Sequence, residues 1–197
     1  MTMNETTAGV TVPVEVSNRH VHVSAGHLET LFGPGASLHQ HRSISQTDQF
    51  AARETVTLIG PRGRVENVRL VGPVRSRTQV EVSQTDARQL GVSAPLRDSG
   101  DLDGSAGLTL AGPRGRVTLS HGVIVQRRHI HASPLDCQTY GLKPHSIVRL
   151  RIGGPRGLIF DQVLVKVDPS FVWRLHLDTD EANAAGVKPG DVAEVLP

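Results

Sequence analysis

The stretch Ser17-Asn18-Arg19-His20-Val21-His22 decides how this chain is organised, because its central motif returns as Arg128-His129-Ile130-His131. Side chains of a strand alternate between its two faces, so the two histidines of each pair project to the same side. Two neutral imidazoles about 7 Å apart along a strand can both reach one metal ion, and zinc favours that ligand type. A single pair is more typical of a chance arrangement on a solvated strand face. Its return in a second apolar, β-branched run favours two half-sites for metal.

The composition limits the possible classes of protein. A chain of 197 residues with 38% hydrophobic and 3% aromatic content can fill one large or two small cores, mostly with aliphatic side chains. The 20 glycines and 12 prolines favour short strands and turns, and a formal charge of +2 is too small to indicate a nucleic-acid surface. The single cysteine, Cys137, excludes an intramolecular disulfide. With a polar start at Met1–Val10 and no long apolar run, the sequence predicts a cytoplasmic protein without a membrane segment.

An ordered set of motifs occurs twice and indicates an internal duplication. Arg-His-x-His is followed by Gly-Pro-Arg-Gly, then by an alternating strand that leads into Thr-Asp, and then by a small helix closed by Gly-Val. A third Gly-Pro-Arg-Gly, at Gly112–Gly115, shows that the turn alone is weak support, since any hairpin can use it. Many short strands in two related halves predict a mainly β fold of two related small β-barrels or sandwiches, each with a short helix.

The predicted boundaries follow from these repeats. We expect a disordered tail over residues 1–11, a first barrel repeat over 12–93, a linker and hairpin over 94–122, and a second barrel repeat over 123–197. The linker is rich in Pro, Ser, Gly and Asp, which are the residues of loops and turns. An exchange of strands between the two halves is left open by the sequence.

A third ligand for each histidine pair is offered by the later alternating strand. It carries Glu81 in the first half and His176 in the second, although aligning the two Thr-Asp pairs leaves these positions one residue apart, so a bulge is expected. Taken alone, Glu81 is equally typical of a solvent-facing carboxylate. Sets of three ligands with an open position are typical of catalytic zinc. The predicted sets are His20, His22 and Glu81, and His129, His131 and His176.

One arginine of a basic region is the best candidate to hold an anion. Arg75 lies six residues before Glu81, in the loop that follows Gly72-Pro73. Its planar guanidinium presents paired donors that suit a phosphate. Its closeness in sequence to a predicted metal ligand favours Arg75 over the other arginines of this region.

Seven motifs between Val12 and Glu194 carry a family resemblance. They are VSNRHVH (16–22), QFAARETVTLIGPRG (49–63), GPVRSRTQVEVSQTDA (72–87), SGDLDGSAGL (99–108), RHIH (128–131), LIFDQVLVKV (158–167) and HLDTDEANAAG (176–186). Together they resemble the PduL-type phosphotransacylases, or phosphate propanoyltransferases. The stretch SQTDQF departs from the SQPGQF that is more typical of that family.

The resemblance implies a fold, a reaction and two metal ions. It implies two β-barrels with a two-zinc site between them, one zinc held by each predicted ligand set. The reaction is that of a short-chain acyl-CoA, propanoyl or acetyl, with phosphate to give acyl phosphate and CoA, in either direction. Arg75 would hold the phosphate while the metal charge stabilises the developing oxyanion. The implied CoA contacts are Val16, Ser17, Asn18, Arg42, Arg69 and Asn183.

Location and partners follow from the same reading. Met1–Val10 is too short and too polar for the amphipathic segment that takes members of this family into microcompartments, so a cytoplasmic form is expected. The expected partners are acyl-CoA or CoA and phosphate or acyl phosphate, with no nucleic acid and no membrane. The sequence leaves the oligomeric state open, a homo-oligomer included.

Two other classes of function compete with this reading. A metal-dependent hydrolase, such as a thioesterase or a phosphatase, could use the same six ligands. A non-catalytic barrel that binds RNA or a small anion would need aromatic side chains set among basic ones, and the aromatic residues of this chain do not interleave with a basic patch. The hydrolase is therefore the stronger alternative.

Overall fold

The structure, a computed structural model, describes residues 9–196 and is built mainly of short strands. The strands are β1 (Thr11–Ser17), β2 (His20–His22), β3 (Gln40–Ser43), β4 (Phe50–Ile59), β5 (Arg64–Gly72), β6 (Gln79–Glu81), β7 (Leu96–Arg97), β8 (Ala106–Ala111), β9 (Arg116–Gln126), β10 (His129–Ala132), β11 (Ile147–Ile152), β12 (Leu158–Val167), β13 (Arg174–Asp178) and β14 (Val192–Leu196). The helices are α1 (Ala25–Phe32), α2 (Gln84–Leu90), α3 (Pro134–Tyr140) and α4 (Thr179–Ala185). Of the tail predicted over residues 1–11, residues 1–8 lie outside the described part, and Thr11 already belongs to β1.

One compact unit contains a closed six-stranded barrel, which we call the first barrel. Its strands pair in the order β4-β5-β2-β6-β9-β8, and the ring closes because β8 pairs with both β9 and β4. Strand β3 is added beside β4, and β7 beside β9. The unit comprises Asn18–Ile44 and Asp48–Gln126, and it includes helices α1 and α2.

The other unit contains a second closed barrel with the order β1-β13-β10-β12-β11-β14. In each barrel, the strand of the His-x-His pair lies between one parallel and one antiparallel neighbour, β5 and β6 in the first barrel, β12 and β13 in the second. The remaining pairings also match in direction around the two rings. The fold class predicted from the sequence, two related small β-barrels with short helices, is confirmed.

The two barrels each take a strand from the opposite half of the sequence. Strand β1 directly precedes the His-x-His strand of the first barrel, yet it pairs with β13 and β14 in the second. Strand β9 directly precedes the His-x-His strand of the second barrel, yet it pairs with β6 and β8 in the first. The units therefore divide after Ser17 and after Gln126, with Ser45–Thr47 also in the unit of the second barrel, and these limits differ from the ranges 12–93, 94–122 and 123–197 expected from the repeats. The alternating apolar pattern of a strand identifies its buried face but carries no information about which sheet it joins.

Each barrel has its own aliphatic core. Large side chains of the first barrel, Leu31, Leu58, Leu70, Leu90 and Leu110, are fully buried. The second barrel is filled chiefly by Ile130, Leu150, Leu175 and Leu177. Full burial of a side chain of this size contributes about 1.5–3 kcal/mol, so aliphatic residues alone can supply these cores.

The three Gly-Pro-Arg-Gly turns also hold helix ends. The Arg62 N–H donates to the Leu90 carbonyl at the end of α2 (3.0 Å), and the Arg114 N–H donates to the Leu31 carbonyl near the end of α1 (3.0 Å). In the third turn the Arg156 side chain donates from Nε to the Ala184 carbonyl in the last turn of α4 (3.1 Å). The last carbonyls of a helix have no partner within the helix, so these turns satisfy groups that the helices leave open.

Candidate metal centres

The first cluster of predicted ligands is formed by the adjacent strands β2 and β6. His20 lies opposite Glu81 in their antiparallel register. The Nε2 atom of His20 is 3.5 Å from Oε2 of Glu81, and Nε2 of His22 is 3.8 Å from Oε1. Ligand atoms of all three side chains lie within 4.8 Å of one another, and His22 and Glu81 are buried. The structure thus brings the first predicted set together.

The second cluster is formed in the same way by β10 and β13. His129 lies opposite His176, and ligand atoms of these two residues and His131 lie within 4.8 Å of one another. The Nε2 atoms of His129 and His131 are 3.1 Å apart. All three imidazoles are buried.

The bulge expected between the two halves is not needed. Each third ligand lies directly opposite the first histidine of its pair, and each stands two residues before the N-cap residue of the following helix, Ser83 or Asp178. The expectation was wrong because it aligned the Thr-Asp pairs, which occupy different positions relative to the two N-caps. Aligned by the N-caps, Glu81 and His176 are equivalent.

Backbone carbonyls select one tautomer for three of the histidines. The Nδ1 atoms of His20 and His129 each lie 2.8 Å from the carbonyl two residues earlier, Asn18 and Arg127 respectively. Nδ1 of His22 lies 3.2 Å from the Val71 carbonyl. A carbonyl only accepts, so each Nδ1 carries the hydrogen and each Nε2 keeps its lone pair. Metal-binding histidines are held in the same way by partners beyond the metal.

Burial keeps the imidazoles of His22, His129 and His131 neutral. It is the main cause that lowers the pKa of His22 and of His129 well below the usual value, with His20 and Arg75 acting in the same direction on His22. The pKa of His131 falls to about 3, through burial and then through His176 and Lys166, with Asp168 opposing. A neutral imidazole is the form that binds a metal.

Arg75 lies beside the first cluster, as its place in the sequence predicted. Its backbone N–H donates to the Val23 carbonyl (2.9 Å), which ties its loop to the end of β2. Its side chain donates from Nη1 to Ser99 Oγ (3.3 Å) and from Nη2 to Gln49 Oε1 (3.4 Å). Burial lowers the pKa of Arg75 and the Glu81 carboxylate raises it, so the guanidinium stays charged near neutral pH.

Two side chains around Glu81 were missed by the sequence reading. Gln79 Nε2 donates to Glu81 Oε1 (2.5 Å) and to Ser99 Oγ (2.8 Å), and the Gly100 N–H donates to Gln79 Oε1 (2.7 Å). A buried amide needs such partners, and they fix the orientation of the carboxylate. The alternation that places Gln79 on the same face as Glu81 was a usable signal, whereas Ser99 lies in a segment that reads as a linker.

The predicted CoA contacts of the second unit lie beside its cluster. Strand β1 places Val16 opposite Leu177 and Ser17 opposite Asp178, the two residues that follow His176. Asn183 is exposed on helix α4, which directly follows β13, the strand that carries His176.

The predicted CoA contacts of the first unit are more dispersed. Arg69 lies opposite His20 in the parallel pairing of β5 and β2, and its Nη1 donates to the Ala52 carbonyl (2.5 Å). Asn18 is exposed two residues before His20. Arg42 is exposed on β3, which is added beside the ring of barrel strands, and it lies opposite Ala51 of β4.

Comparison with known proteins gives a consistent result over almost the whole chain. A family model described as phosphate propanoyltransferase matches residues 13–188. The phosphate propanoyltransferase of Thermotoga maritima is 51% identical over 184 residues, which is 93% of this chain and 88% of that protein. The protein of the same name from Shewanella putrefaciens is 51% identical over 188 residues, 94% and 89% of the two chains. That from Salmonella typhimurium is 50% identical over 176 residues, 89% and 83%.

Proposed function

Because this chain belongs to the phosphate propanoyltransferase family, whose members are acyltransferases, we propose that it transfers a short acyl group between CoA and inorganic phosphate. The acyl group is propanoyl or acetyl, and the reaction runs in both directions. One zinc ion is held by His20, His22 and Glu81, and a second by His129, His131 and His176. Support for the metals comes from the paired clusters, which recur with the same register in two barrels of equal strand order.

The proposed reaction balances without another reactant. An oxygen of hydrogen phosphate attacks the thioester carbonyl, a C–O bond forms, and the C–S bond breaks. The CoA sulfur leaves as a thiolate and takes the proton that hydrogen phosphate gives up. The products are acyl phosphate and free CoA.

The donor sets fit zinc. Three nitrogen or oxygen ligands with no cysteine are typical of catalytic sites that keep an open position, whereas structural zinc sites are usually closed by four ligands. When bound, zinc supplies positive charge that orients phosphate and stabilises negative charge on the carbonyl oxygen. The protein contributes neutral, preoriented imidazoles, because burial lowers the pKa of His22 and of His129 and backbone carbonyls hold their Nδ1 hydrogens.

Arg75 binds the phosphate in this proposal. Two of its nitrogens are held by the neutral oxygens of Ser99 and Gln49 at 3.3 and 3.4 Å, which orients the guanidinium without neutralising its charge. A guanidinium has five N–H donors, so others remain for two phosphate oxygens. Holding the nucleophile in place lowers the entropic cost of bringing it to the thioester.

The remaining predicted residues are assigned to CoA. The proposed CoA contacts are Val16, Ser17 and Asn183 of the unit that carries His176, and Asn18, Arg42 and Arg69 of the unit that carries His20. Arginine is suited to the phosphate groups of CoA. Arg69 is the best supported of the three, because its register opposite His20 places it next to a cluster.

The experiment that tests this function measures thiol release from propanoyl-CoA and acetyl-CoA by the zinc-loaded chain, with and without phosphate. We expect release only with phosphate, and its loss in His129→Ala. The control is His121→Ala, because His121 is an exposed histidine on β9 that contacts Ser120. This control should keep full activity. Release without phosphate would indicate a hydrolase and contradict the proposal, as would full activity in His129→Ala.

A cytoplasmic location is part of the proposal. It rests on the single cysteine, which is consistent with a reducing compartment. None of the helices in residues 9–196 has the length and apolar character needed to span a bilayer. Fusion of residues 1–12 to a fluorescent protein tests the location, and recruitment of the fusion to microcompartment shells would contradict it.

A further inference from the structure

The arginine that precedes each His-x-His pair forms an ion pair with a carboxylate on another element. Arg19 Nε lies 2.9 Å from Asp86 Oδ1, and Arg128 Nε lies 3.2 Å from Glu181 Oε1. The Asp86 side chain is only 3% exposed, and Glu181 is 21% exposed. A carboxylate with an arginine partner, buried in the first repeat and partly buried in the second, occurs at the same place in both repeats.

The second oxygen of each carboxylate is used to cap a helix. The Ser83 N–H donates to Asp86 Oδ2 (3.2 Å), and the Asp178 N–H donates to Glu181 Oε2 (3.1 Å). Asp86 and Glu181 are the third helical residues of complete capping boxes on α2 and α4. Both oxygens are therefore held, which fixes the carboxylate in one position.

The two contacts together connect the ligand strands. Ser83 and Asp178 each follow the third ligand of their cluster, Glu81 or His176, by two residues. The third ligand is therefore connected, through the N-cap residue, to the carboxylate that caps the helix. This carboxylate pairs with the arginine that directly precedes the first histidine of the His-x-His pair. This connection links the two strands that supply the ligands, and it does so outside the strand ladder.

Such a link is needed because the ligand strands hold each other weakly. Strands β2 and β6 have only three residues each, so few ladder hydrogen bonds join them. Their polar side chains converge on one point inside the protein, where lone pairs repel one another and burial is unfavourable. A fixed contact from outside the cluster opposes the separation of the strands.

We propose that Arg19 and Arg128 are positioning residues that set the metal affinity of the first and second cluster, respectively. The inference rests on the metal sites of the proposed function. Each arginine holds the first histidine and the third ligand at the spacing that one metal ion requires. Partners beyond the metal ligands typically change metal affinity 10- to 100-fold when they are removed, and we expect an effect of that size here.

The chain contains a matched control in helix α3. Asp136 is the third helical residue of a capping box with Ser133, so it performs the same local role as Asp86 and Glu181. Within residues 9–196 no arginine forms an ion pair with Asp136. Asp136→Asn therefore weakens a helix cap in the second unit without breaking an arginine contact.

The test titrates metal-depleted full-length chain with Zn²⁺ against a chromophoric chelator, and records the visible spectrum with Co²⁺. The unchanged chain should bind two ions. The variant Arg128→Met removes the guanidinium that lies over the Phe160 ring and replaces it with an unbranched apolar side chain. Its affinity for one ion should fall about 10- to 100-fold, while its affinity for the other ion stays the same. Arg128→Lys should recover part of the loss. Asp136→Asn should leave both affinities within about twofold.

Companion variants keep the test decisive if Arg128→Met does not fold. Glu181→Gln keeps an oxygen for the Asp178 N–H and removes the charge, and Arg19→Met tests the first cluster independently. Where both single variants fold, Arg128→Met combined with Glu181→Gln should lose no more affinity than either alone, since the two residues act through one contact.

Defined results would overturn the inference. Folded Arg128→Met or Glu181→Gln with unchanged affinity for both ions would do so, as would an equal loss of affinity in Asp136→Asn. A loss confined to the Co²⁺ spectrum of one site would support it. Failure of the unchanged chain to bind zinc would contradict the proposed metal sites themselves, and the inference with them.

Discussion

Arg75 and Arg77 are two residues apart, yet their side chains have different surroundings. Arg75 is half-buried beside Glu81, whereas Arg77 is exposed and pairs with Asp103, which is 90% exposed (3.0 Å). Lysine keeps the charge but loses the planar pair of donors. One lost charge-assisted hydrogen bond corresponds to about 1.5–3 kcal/mol. We therefore expect Arg75→Lys to lower kcat/KM for phosphate about 10- to 100-fold.

Arg77→Lys is the control for this prediction, and it should change kcat/KM for phosphate less than twofold. Initial rates at varied phosphate and saturating propanoyl-CoA measure both variants. Equal effects of the two substitutions would show that general basicity matters and that the position of Arg75 does not.

His131 makes the stability of the metal-free protein depend on pH. Its pKa is lowered to about 3 in the folded chain, against about 6.5 when unfolded. Between these values the unfolded chain binds a proton that the folded chain does not, so stability falls as the pH falls below about 6.5. The loss attributable to His131 between pH 7 and pH 5 is about 2 kcal/mol.

Urea unfolding of the metal-free chain and of His131→Asn at pH 7 and pH 5 measures this dependence. The difference between the two proteins reports on His131 and its coupled neighbours, because the contribution of Glu181, whose pKa burial and Asp178 raise to about 7, is present in both. The free energy of unfolding should fall by about 2 kcal/mol more in the unchanged chain. An equal decrease in both proteins would contradict the assignment.

At the level of single residues, the sequence indicated the six clustered side chains that recur in the two repeats, and it missed the contacts of Gln79 and Ser99. The six clustered residues share a local signature, because strand alternation brings a His-x-His pair to one face. Ser99 has no such signature, since it reaches Arg75 and Gln79 through a loop whose path depends on the folded barrel. Contacts of this kind depend on tertiary structure that a local pattern does not contain.

Among the elements, the Gly-Pro-Arg-Gly turns do more than reverse the chain. A Cβ on Gly60 would meet the carbonyl of Leu90, with the carbonyl carbon at 2.9 Å and the Leu90 Cβ at 3.0 Å. Gly112 approaches the carbonyl of Leu31 in the same way. Backbone cannot yield as a flexible side chain can, so Gly60→Ala and Gly112→Ala should each lower the free energy of unfolding by about 1–3 kcal/mol.

Gly153 is the matched control for these turns, because no atom lies within 4 Å of a Cβ placed there and its φ is not positive. Gly153→Ala should change the free energy of unfolding by less than about 0.5 kcal/mol, or raise it slightly. Chemical denaturation of the three variants measures the differences. A neutral Gly60→Ala would show that the turn can move away from α2.

Elements were easier to predict than their alignment between the halves. Alternation and helix-ending glycines indicated β6, α2 and α4 correctly, because these signals are local. The Thr-Asp pair misled the alignment, since it resembles a cap without occupying the same cap position in both repeats. The N-cap hydrogen bonds of Ser83 and Asp178 define the correspondence.

For the whole molecule, the duplication predicted two barrels and left an exchange of strands open, but it did not identify which strands are exchanged. Only two residues separate β1 from β2, and two separate β9 from β10. Because these links are so short, the sequence of β1 with β2, and that of β9 with β10, also fits one continuous strand with a local irregularity. Which barrel a strand joins depends on partners far away in sequence.

The exchange predicts how fragments of the chain behave. Residues 18–126 contain all six strands of the first barrel, so this fragment should unfold cooperatively in urea. Residues 127–197 lack β1 and should not. Adding residues 11–17 after residue 197 through a short linker should restore cooperative unfolding, because β1 and β14 are antiparallel, with Thr11 opposite Glu194. Cooperative unfolding of 127–197 alone would contradict the need for β1.

The same exchange sets an order of events on the ribosome. Strand β1 is synthesised before the other described strands, but its neighbours β13 and β14 emerge after the strands of the first barrel, at a rate of roughly 5–20 residues per second. The first barrel can close as soon as β9 has emerged, while β1 waits unpaired with valines that will be fully buried. Pro13 and Glu15 alternate with those valines, and a proline or a charge on an unpaired strand opposes its association with other chains. The composition of β1 thus protects a nascent chain whose second barrel closes only after β13 and β14 have been synthesised.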